Sequence, residues 1–392
     1  MIVEGRQRVA IIEPRCLGLE HVAINAAMTA AVLSAFPDAT VDLYGEAAHL
    51  EEIQSLLLRS RAALSGRVVS RPLGVPPKRV KGWQRFLTTR RLFDEIDLRF
   101  RQAPPAALVL ATTEPAGLAL LKSRLLTSWK GLPTLSVLHE LLATLTPRHH
   151  RSSRWWELRA ALGLPHPRSL TYLVLAESIL VRLGAVAPHM ARRTVAIDLP
   201  SLLGEMPDDR DETGQRELRF GFVGGGRDAK GFSEFVEIAS AVLGKHPEVR
   251  FEVVGSVPAD FPHSALANLT WSAEKLPFPE FVGRLRELSH VIWVGDSSHY
   301  ELVASGSLAD TIAVGIPVIC QRGPFVDHLF NRFGAIGVRC STIDDMVREV
   351  IRIISNGSPE EYGRQKEALR TARVALAPEA CASVIRSTLA GG

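Results

Sequence analysis

Short, wholly apolar runs separated by stretches of helical periodicity recur along this chain, and a parallel α/β architecture is the arrangement that can bury them all. Arg8-Val-Ala-Ile-Ile-Glu13 reads as a strand, followed by a loop at Pro14 and Gly18. From Glu20 to Phe36 alanines and aliphatics recur at helical spacing until Pro37-Asp38 stops the pattern, and Thr40-Val-Asp-Leu-Tyr44 is the next strand. Further runs at 106–111, 134–138, 171–176 and 195–199 continue the alternation. Residues 204–217 are polar and acidic and carry Pro207 and Gly214, the composition of a linker. A second βα series then starts, with strands at 219–223, 250–254, 291–294 and 318–320 and helices at 232–243 and 307–314. The last pattern, 359–389, is helical and interrupted near Pro378.

At 392 residues the chain is longer than one core usually organises, so the linker divides two domains. Their strands' carboxyl ends are where open α/β sheets bind ligands, and two such ends facing one cleft suit a reaction between two substrates. Basic residues number 46 and acidic residues 42, a balance too mild to imply nucleic-acid binding. Cys16, Cys320, Cys340 and Cys381 lack paired metal spacing and read as small buried apolar residues. The first residues run directly into a strand, without the apolar stretch of a signal peptide, and no apolar run approaches the roughly 20 residues of a membrane span. A cytoplasmic location is expected.

Phe220-Gly-Phe-Val-Gly-Gly-Gly-Arg-Asp-Ala-Lys-Gly-Phe232 leads from a strand through Gly224, Gly225 and Gly226 to two cations and a helix. Glycines admit close approach of the backbone to an anion, and N–H groups at the helix start face it. Arg227 can grip phosphate oxygens as a fork and Lys230 as a point charge. A glycine turn with two solvated cations is the plainer reading of the same residues. Gly224-x-Gly226-x-x-Ala229 also partly fits a dinucleotide fingerprint, but the following strand ends in Gly255-Ser256 without the required acid, and the Walker pattern fails around Lys230. Ser305-Gly306-Ser307 can open a helix with Asp310 in its first turn, and Gly315 with Pro317 ends it. That helix start is a second anion site, and Asp310 can accept from ribose hydroxyls or simply complement the helix dipole.

Taken in order, Val223-Gly224, Lys230-Gly231, Gly255, Asn268-Leu-Thr-Trp271 and Ala313-Val-Gly-Ile-Pro-Val-Ile319 resemble the C-terminal domain of the group-1 (retaining) glycosyltransferase family, which has the GT-B fold. The similarity spans about residues 218–355. It implies two doubly wound Rossmann-like domains facing a central cleft. These would be an N-terminal domain over 1–203 on the acceptor side, a linker over 204–217, a donor domain over 218–358 and a C-terminal helical segment over 359–392. It further implies a nucleotide-diphosphate sugar donor and a glycan or lipid-linked acceptor. Lys230 falls on the family's diphosphate lysine, and Arg227 stands closer to it than the family's arginine does. Asp310 falls on the second of two acidic positions, the ribose ligand; the first is occupied by Leu302, with Glu301 and Ser305 beside it. His139, at the end of Thr134-Leu-Ser-Val-Leu-His139-Glu140, resembles the active-site histidine beside the donor sugar. Gly18 resembles the glycine of the first loop that nears the phosphate, with His21 and Arg15 towards the acceptor. No Asp-x-Asp pair stands at a strand end, so metal-independent transfer without a cofactor is implied. A catalytically inactive binding subunit of the same fold and a nicotinamide-dependent enzyme are the alternatives.

Lys78, Arg79, Lys81, Arg85, Arg90, Arg91, Arg99 and Arg101 interleave with Trp83, Phe86, Phe93 and Phe100; a second cluster holds Arg148, His149, His150, Arg151, Arg154, Trp155, Trp156 and Arg159. Cations among aromatics suit an anionic membrane surface at the inner face, and equally a helix that buries its rings and solvates its charges.

Overall fold

The computed structural model describes residues 7–80, 82–146, 152–205, 217–226, 230–257, 261, 269–274, 276–295 and 299–391. Its contacts divide into two units. The first comprises Met1–Leu202 with Leu302–Ala304 and Ala377–Gly392, the second Leu203–Glu301 with Ser305–Leu376.

Among the described residues of the first unit, β1 (Arg8–Ile12), β2 (Thr40–Gly45), β3 (Val68–Pro72), β4 (Ala107–Leu110), β5 (Thr134–Val137), β6 (Leu170–Val174) and β7 (Thr194–Ala196) form one parallel sheet in the order β3-β2-β1-β4-β5-β6-β7. β1 and β4 are almost wholly buried, as strands covered by helices on both faces must be. β3 is absent from the sequence reading because Val68-Val-Ser-Arg-Pro72 is an edge strand. Its Arg71 donates to Asp42 of β2 (2.9 Å), and Arg8 of β1 also pairs with that buried carboxylate. The helix Val22–Ala35 has no polar face, and eleven of its fourteen residues are buried. A helix apolar all round must be covered all round. The helix Ala47–Ser60 and the C-terminal segment pack on it, and Arg386 Nε caps its end at Ala35 O (2.5 Å).

The second unit pairs β10 (Leu269–Thr270), β9 (Arg250–Val254), β8 (Arg219–Val223), β11 (His290–Trp293), β12 (Val318–Gln321) and β13 (Gly337–Cys340), again all parallel. Phe220 of β8 lies beside Phe251 of β9 with ring centroids 5.6 Å apart. The helix Phe232–Leu243 presents Phe232, Phe235, Val236, Ala239 and Val242 to them at helical spacing. Each such ring adds roughly 1.5–3 kcal/mol by burial. All four cysteines are buried and outside any disulfide, two in each unit.

A buried cation in the first unit helps fix the helix Ser153–Gly163. Lys122 is 1 % exposed, and its Nζ donates to Ala161 O (3.0 Å), Leu162 O (3.2 Å) and Leu164 O (3.1 Å), carbonyls that the helix end leaves without partners. Burial, and then Arg193, lower its pKa to about 8. The folded chain therefore binds fewer protons than the unfolded chain between pH 8 and the ordinary lysine value near 10.5. Stability should rise with pH across that window, by roughly 3 kcal/mol at most. Thermal unfolding of wild type and Lys122→Met across this range measures the term. The variant should be less stable at pH 7, by about 1–3 kcal/mol for the abandoned carbonyls, and should lack the alkaline gain. Parallel curves for the two proteins would remove Lys122 as the titrating group.

Candidate functional site

In a parallel sheet every strand's carboxyl end opens on the same edge, so side chains distant in sequence gather there. At the first unit's edge the organising group is Glu13, immediately after β1 and 0 % exposed. Its Oε1 accepts from the N–H groups of Arg15 (2.9 Å) and Cys16 (3.0 Å), and its Oε2 from Asn25 Nδ2 (3.0 Å) and Thr112 Oγ1 (2.6 Å). Asn25 continues to His49 Nε2 (2.9 Å), and His49 Nδ1 lies 2.8 Å from Gly18 O. Glu46 accepts from Gly18 N (3.1 Å) while capping the helix Ala47–Ser60 through Ala48 N and His49 N. Gly18, at φ 51°, is thus held through both its carbonyl and its N–H.

Three residues later the loop bends again at His21, which has φ 52° and is the one non-glycine residue with positive φ among those described. That conformation aims the imidazole at His139, their rings edge to face at 5.0 Å, and places Nε2 3.8 Å from Glu140 Oε1. Arg15 is no solvated cation: its guanidinium bonds Glu140 Oε2 (2.9 Å) and lies 3.3 Å from Glu114 Oε1, whose other oxygen takes Arg85 (2.7 Å). Burial alone would raise the Glu140 pKa, but Arg15, then His21 and His139, outweigh it and hold the carboxyl far below its ordinary value. Likewise Glu140 and Glu114 overcome the burial of Arg15 and keep it charged.

Sequence spacing offered no metal seat, yet the fold gathers two trios whose ligand atoms lie within 4.8 Å of one another: Glu13–Cys16–His49 and His21–His139–Glu140. Neither was legible beforehand, because each is completed by a residue from a distant stretch of chain, His49 in the first and His21 in the second.

The second unit's edge is built around backbone. Gly224 N donates to Val254 O (2.9 Å) and Gly226 N to Ser256 O (2.8 Å), so two of the three glycine N–H groups continue the β8–β9 ladder and do not face a ligand. The glycines instead bring chains close together. A Cβ on Gly255 would stand 1.9 Å from Gly224 O, and one on Gly231, at φ 71°, only 1.6 Å from Val294 O. Above Gly224 the space is bounded by polar groups: a Cβ placed there would lie 3.5 Å from Lys230 Nζ and 3.9 Å from Ser307 Oγ. Lys230 and Ser307, 77 residues apart by subtraction, converge on one point.

Ser307 stands in the first turn of the helix Gly306–Val314. Ser305 is its N-cap: Oγ accepts from Leu308 N (3.3 Å) and Trp293 Nε1 (3.1 Å) and is 3.2 Å from Ser307 Oγ. It is 3 % exposed and sets the helix start, whereas Gly306 and Ser307 after it are half-buried. The other end is clamped by Lys366 on Gly315 O (2.7 Å) and Arg373 on Ala313 O (2.8 Å) and Val314 O (2.9 Å), cations that complement the helix dipole. Asp310 falls one position beyond the first turn expected for it, because the helix begins at Gly306. Arg227 lies outside the described residues, as does Asn268. Leu302, where the family pattern has its first acid, is 1 % exposed and groups with the first unit.

Solved structures show the same fold over nearly the whole chain. HepE of Anabaena, solved with UDP and glucose, is 12% identical with a TM-score of 0.68, covering 99% of this chain and 100% of that one. Sucrose-phosphate synthase from Thermosynechococcus elongatus is 14% identical with a TM-score of 0.66, again over 99% and 100%. A putative UDP-N-acetylglucosamine 2-epimerase from Listeria monocytogenes is 11% identical with a TM-score of 0.61, over 99% and 98%. No family model matches the chain, and no curated protein sequence does. The likeness is one of fold: two Rossmann-like units of the GT-B kind. One fold hosts different activities, so the reaction depends on the site and not on the fold.

The close approach at Gly231 gives a direct check. Gly231→Ala should cost more than about 3 kcal/mol, since a left-handed residue would also drive its Cβ into a carbonyl. Gly306→Ala, with nothing within 4 Å of the added carbon, should be neutral or stabilising by up to about 1 kcal/mol. Chemical denaturation of both variants tests the pair; equal midpoints would refute the packing described.

Proposed function

We propose that the protein is a glycosyltransferase moving a sugar from a nucleotide-diphosphate donor to a glycan or lipid-linked acceptor, with retention and without a metal. The observation that carries this is the convergence of the Lys230 ammonium and Ser307 over Gly224, at the start of a helix whose far end is clamped by Lys366 and Arg373. An ammonium, a hydroxyl and the positive end of a helix at one point suit a diphosphate. As the bond to the sugar breaks, negative charge grows on the departing diphosphate. Donors fixed beforehand lower that barrier because they need not reorganise. Asp310 is assigned to the ribose, Gly255 to shaping the turn, and Arg227 to the same diphosphate. In the first unit His139 is assigned to the sugar, the Gly18 loop to the phosphate, and His21 with Arg15 to the acceptor side. The likeness to HepE, solved with UDP and glucose, and to sucrose-phosphate synthase supports the same substrate class.

Leu302 favours a second reading, a binding subunit of this fold without catalysis, since a buried leucine cannot replace a carboxylate ligand. The two are separated by adding UDP, GDP or ADP in thermal-shift assays and following transfer or hydrolysis of the matching nucleotide sugars. One diphosphate should raise the melting temperature, because a ligand of the folded state stabilises it. Lys230→Ala should abolish that shift and cut kcat by roughly 10²-fold or more. His139→Ala should cut kcat while the diphosphate still binds. Diphosphate binding without turnover of any sugar nucleotide selects the second reading; no binding at all rejects both.

For the acceptor, the basic–aromatic segments separate by burial. Phe93 and Phe100 are core residues, and Arg85, Arg99 and Arg101 are ion-paired. Trp83 is 71 % exposed and Trp156 63 % exposed, in the first turns of the helices Gly82–Gln102 and Ser153–Gly163. Both helices follow strands of one parallel sheet and so begin at its carboxyl edge. Leu87 and Arg90 continue the exposed face of the first. Lys81, Arg148, His149, His150 and Arg151 lie outside the described residues. No helix among the described residues is long and apolar enough to cross a membrane. These indoles and cations suit the headgroup layer of an anionic membrane. The protein should sediment with vesicles containing phosphatidylglycerol, less so in high salt, and Trp83→Ala/Trp156→Ala should release it. Equal partition onto neutral vesicles would count against this role.

A further inference from the structure

The edge of the first unit assembles a set of metal-ligating atoms out of the histidines proposed to meet the substrates. We propose that His21, His139 and Glu140 bind a divalent transition-metal ion of the zinc class, and that the bound ion silences the enzyme by occupying its histidines; the silencing, though not the binding, rests on the glycosyltransferase reading.

The composition of the trio comes first. Two imidazoles and one carboxylate are ligands for zinc, cobalt or nickel, whereas magnesium and calcium select oxygen. Three protein ligands leave a fourth position to water, as in an open site. Geometry comes second. The ligand atoms lie within 4.8 Å of one another, and His21 Nε2 is already 3.8 Å from Glu140 Oε1. An ion about 2.0–2.2 Å from each ligand needs them roughly 3–3.5 Å apart. The remaining contraction is within side-chain rotation, because His21 and Glu140 retain 26 % and 34 % of their side-chain exposure.

Two features aim the ligands at one another. His21 reaches the trio from a left-handed backbone that costs a non-glycine residue about 1–2 kcal/mol. Such strain persists where the surrounding structure enforces it, and here the Gly18 loop is anchored through Glu46 and His49. Arg15, bonded to Oε2 of Glu140, leaves Oε1 turned to His21, the arrangement by which an outer partner orients a metal-binding carboxylate. Its positive charge also weakens the site, so affinity should be moderate and reversible, as a regulatory ion requires. The other trio, Glu13–Cys16–His49, is not such a site: both Glu13 oxygens are engaged by four donors and all three residues are buried.

The test uses the full chain stripped with chelator, then titrated with zinc by calorimetry and with cobalt by visible absorption. One ion per chain should bind, with cobalt bands of a site containing nitrogen ligands. His21→Ala and Glu140→Gln, each checked for a wild-type circular-dichroism spectrum, should weaken binding roughly tenfold or more. His189→Ala, an exposed histidine elsewhere, should not. Zinc should lower transfer in wild type and have less effect on the Glu140→Gln protein. Absence of binding, or equal binding by all these variants, overturns the site; binding that leaves transfer unaltered overturns the silencing. If zinc binds as described while no nucleoside diphosphate does, the transferase reading fails and the metal site stands. The converse pattern removes only the metal site.

Discussion

A polar side chain sealed from water must find hydrogen bonds within the protein or destabilise it, and Glu13 accepts four from three separate stretches of chain. That requirement locates the loop after β1, the start of the helix Val22–Ala35 and the end of β4 relative to one another. Through Asn25 and His49 it extends to the helix Ala47–Ser60 and returns to Gly18. The position of His21, and with it the cluster around Glu140 and His139, follows from this one desolvated group. Networks of this kind are rigid when every member is satisfied. In the second unit the equivalent constraint is steric: glycines at 231 and 255 let three loops approach to distances that any side chain would prevent.

The contrast between the units fits what each is proposed to handle. A diphosphate is recognised by charge and by N–H groups at helix starts, which backbone alone can largely supply once it is allowed close. A sugar and its acceptor are recognised by side chains with direction, and these need an underlying network to hold them. The charges beside His21 and His139 are accordingly paired with one another, Arg85 and Arg15 alternating with Glu114 and Glu140.

Much of the fold was legible because buried parallel strands are nearly uniform in polarity. The runs at 8–13, 40–44 and 219–223 announce β1, β2 and β8 without help from the rest of the chain. The edge strands β3 and β13 were not legible, since Val68-Val-Ser-Arg-Pro72 and Gly337-Val-Arg-Cys340 face water on one side and mix polar with apolar residues. In the site, the glycine motif could be read because its constraint is local. The Glu13–Asn25–His49 relay could not, its members being 12 and 24 residues apart with no periodic signal between them. The ion pairs of Arg15 were not legible for the same reason, as its partners Glu114 and Glu140 are brought to it only by the sheet. The N–H groups of Gly224 and Gly226 looked available, but they extend the β8–β9 ladder beyond the ends of both strands.

The four buried thiols carry a practical consequence. Cys16 and Cys381 belong to one unit, Cys320 and Cys340 to the other. Burial, then Glu13, makes the Cys16 thiolate very hard to form, and burial does the same for Cys320. Since only an exposed thiolate reacts at appreciable speed, a soluble alkylating reagent becomes a pair of clocks built into the native chain. The modification rate at each cysteine, read by peptide mass, times the breathing of its own unit without any introduced label.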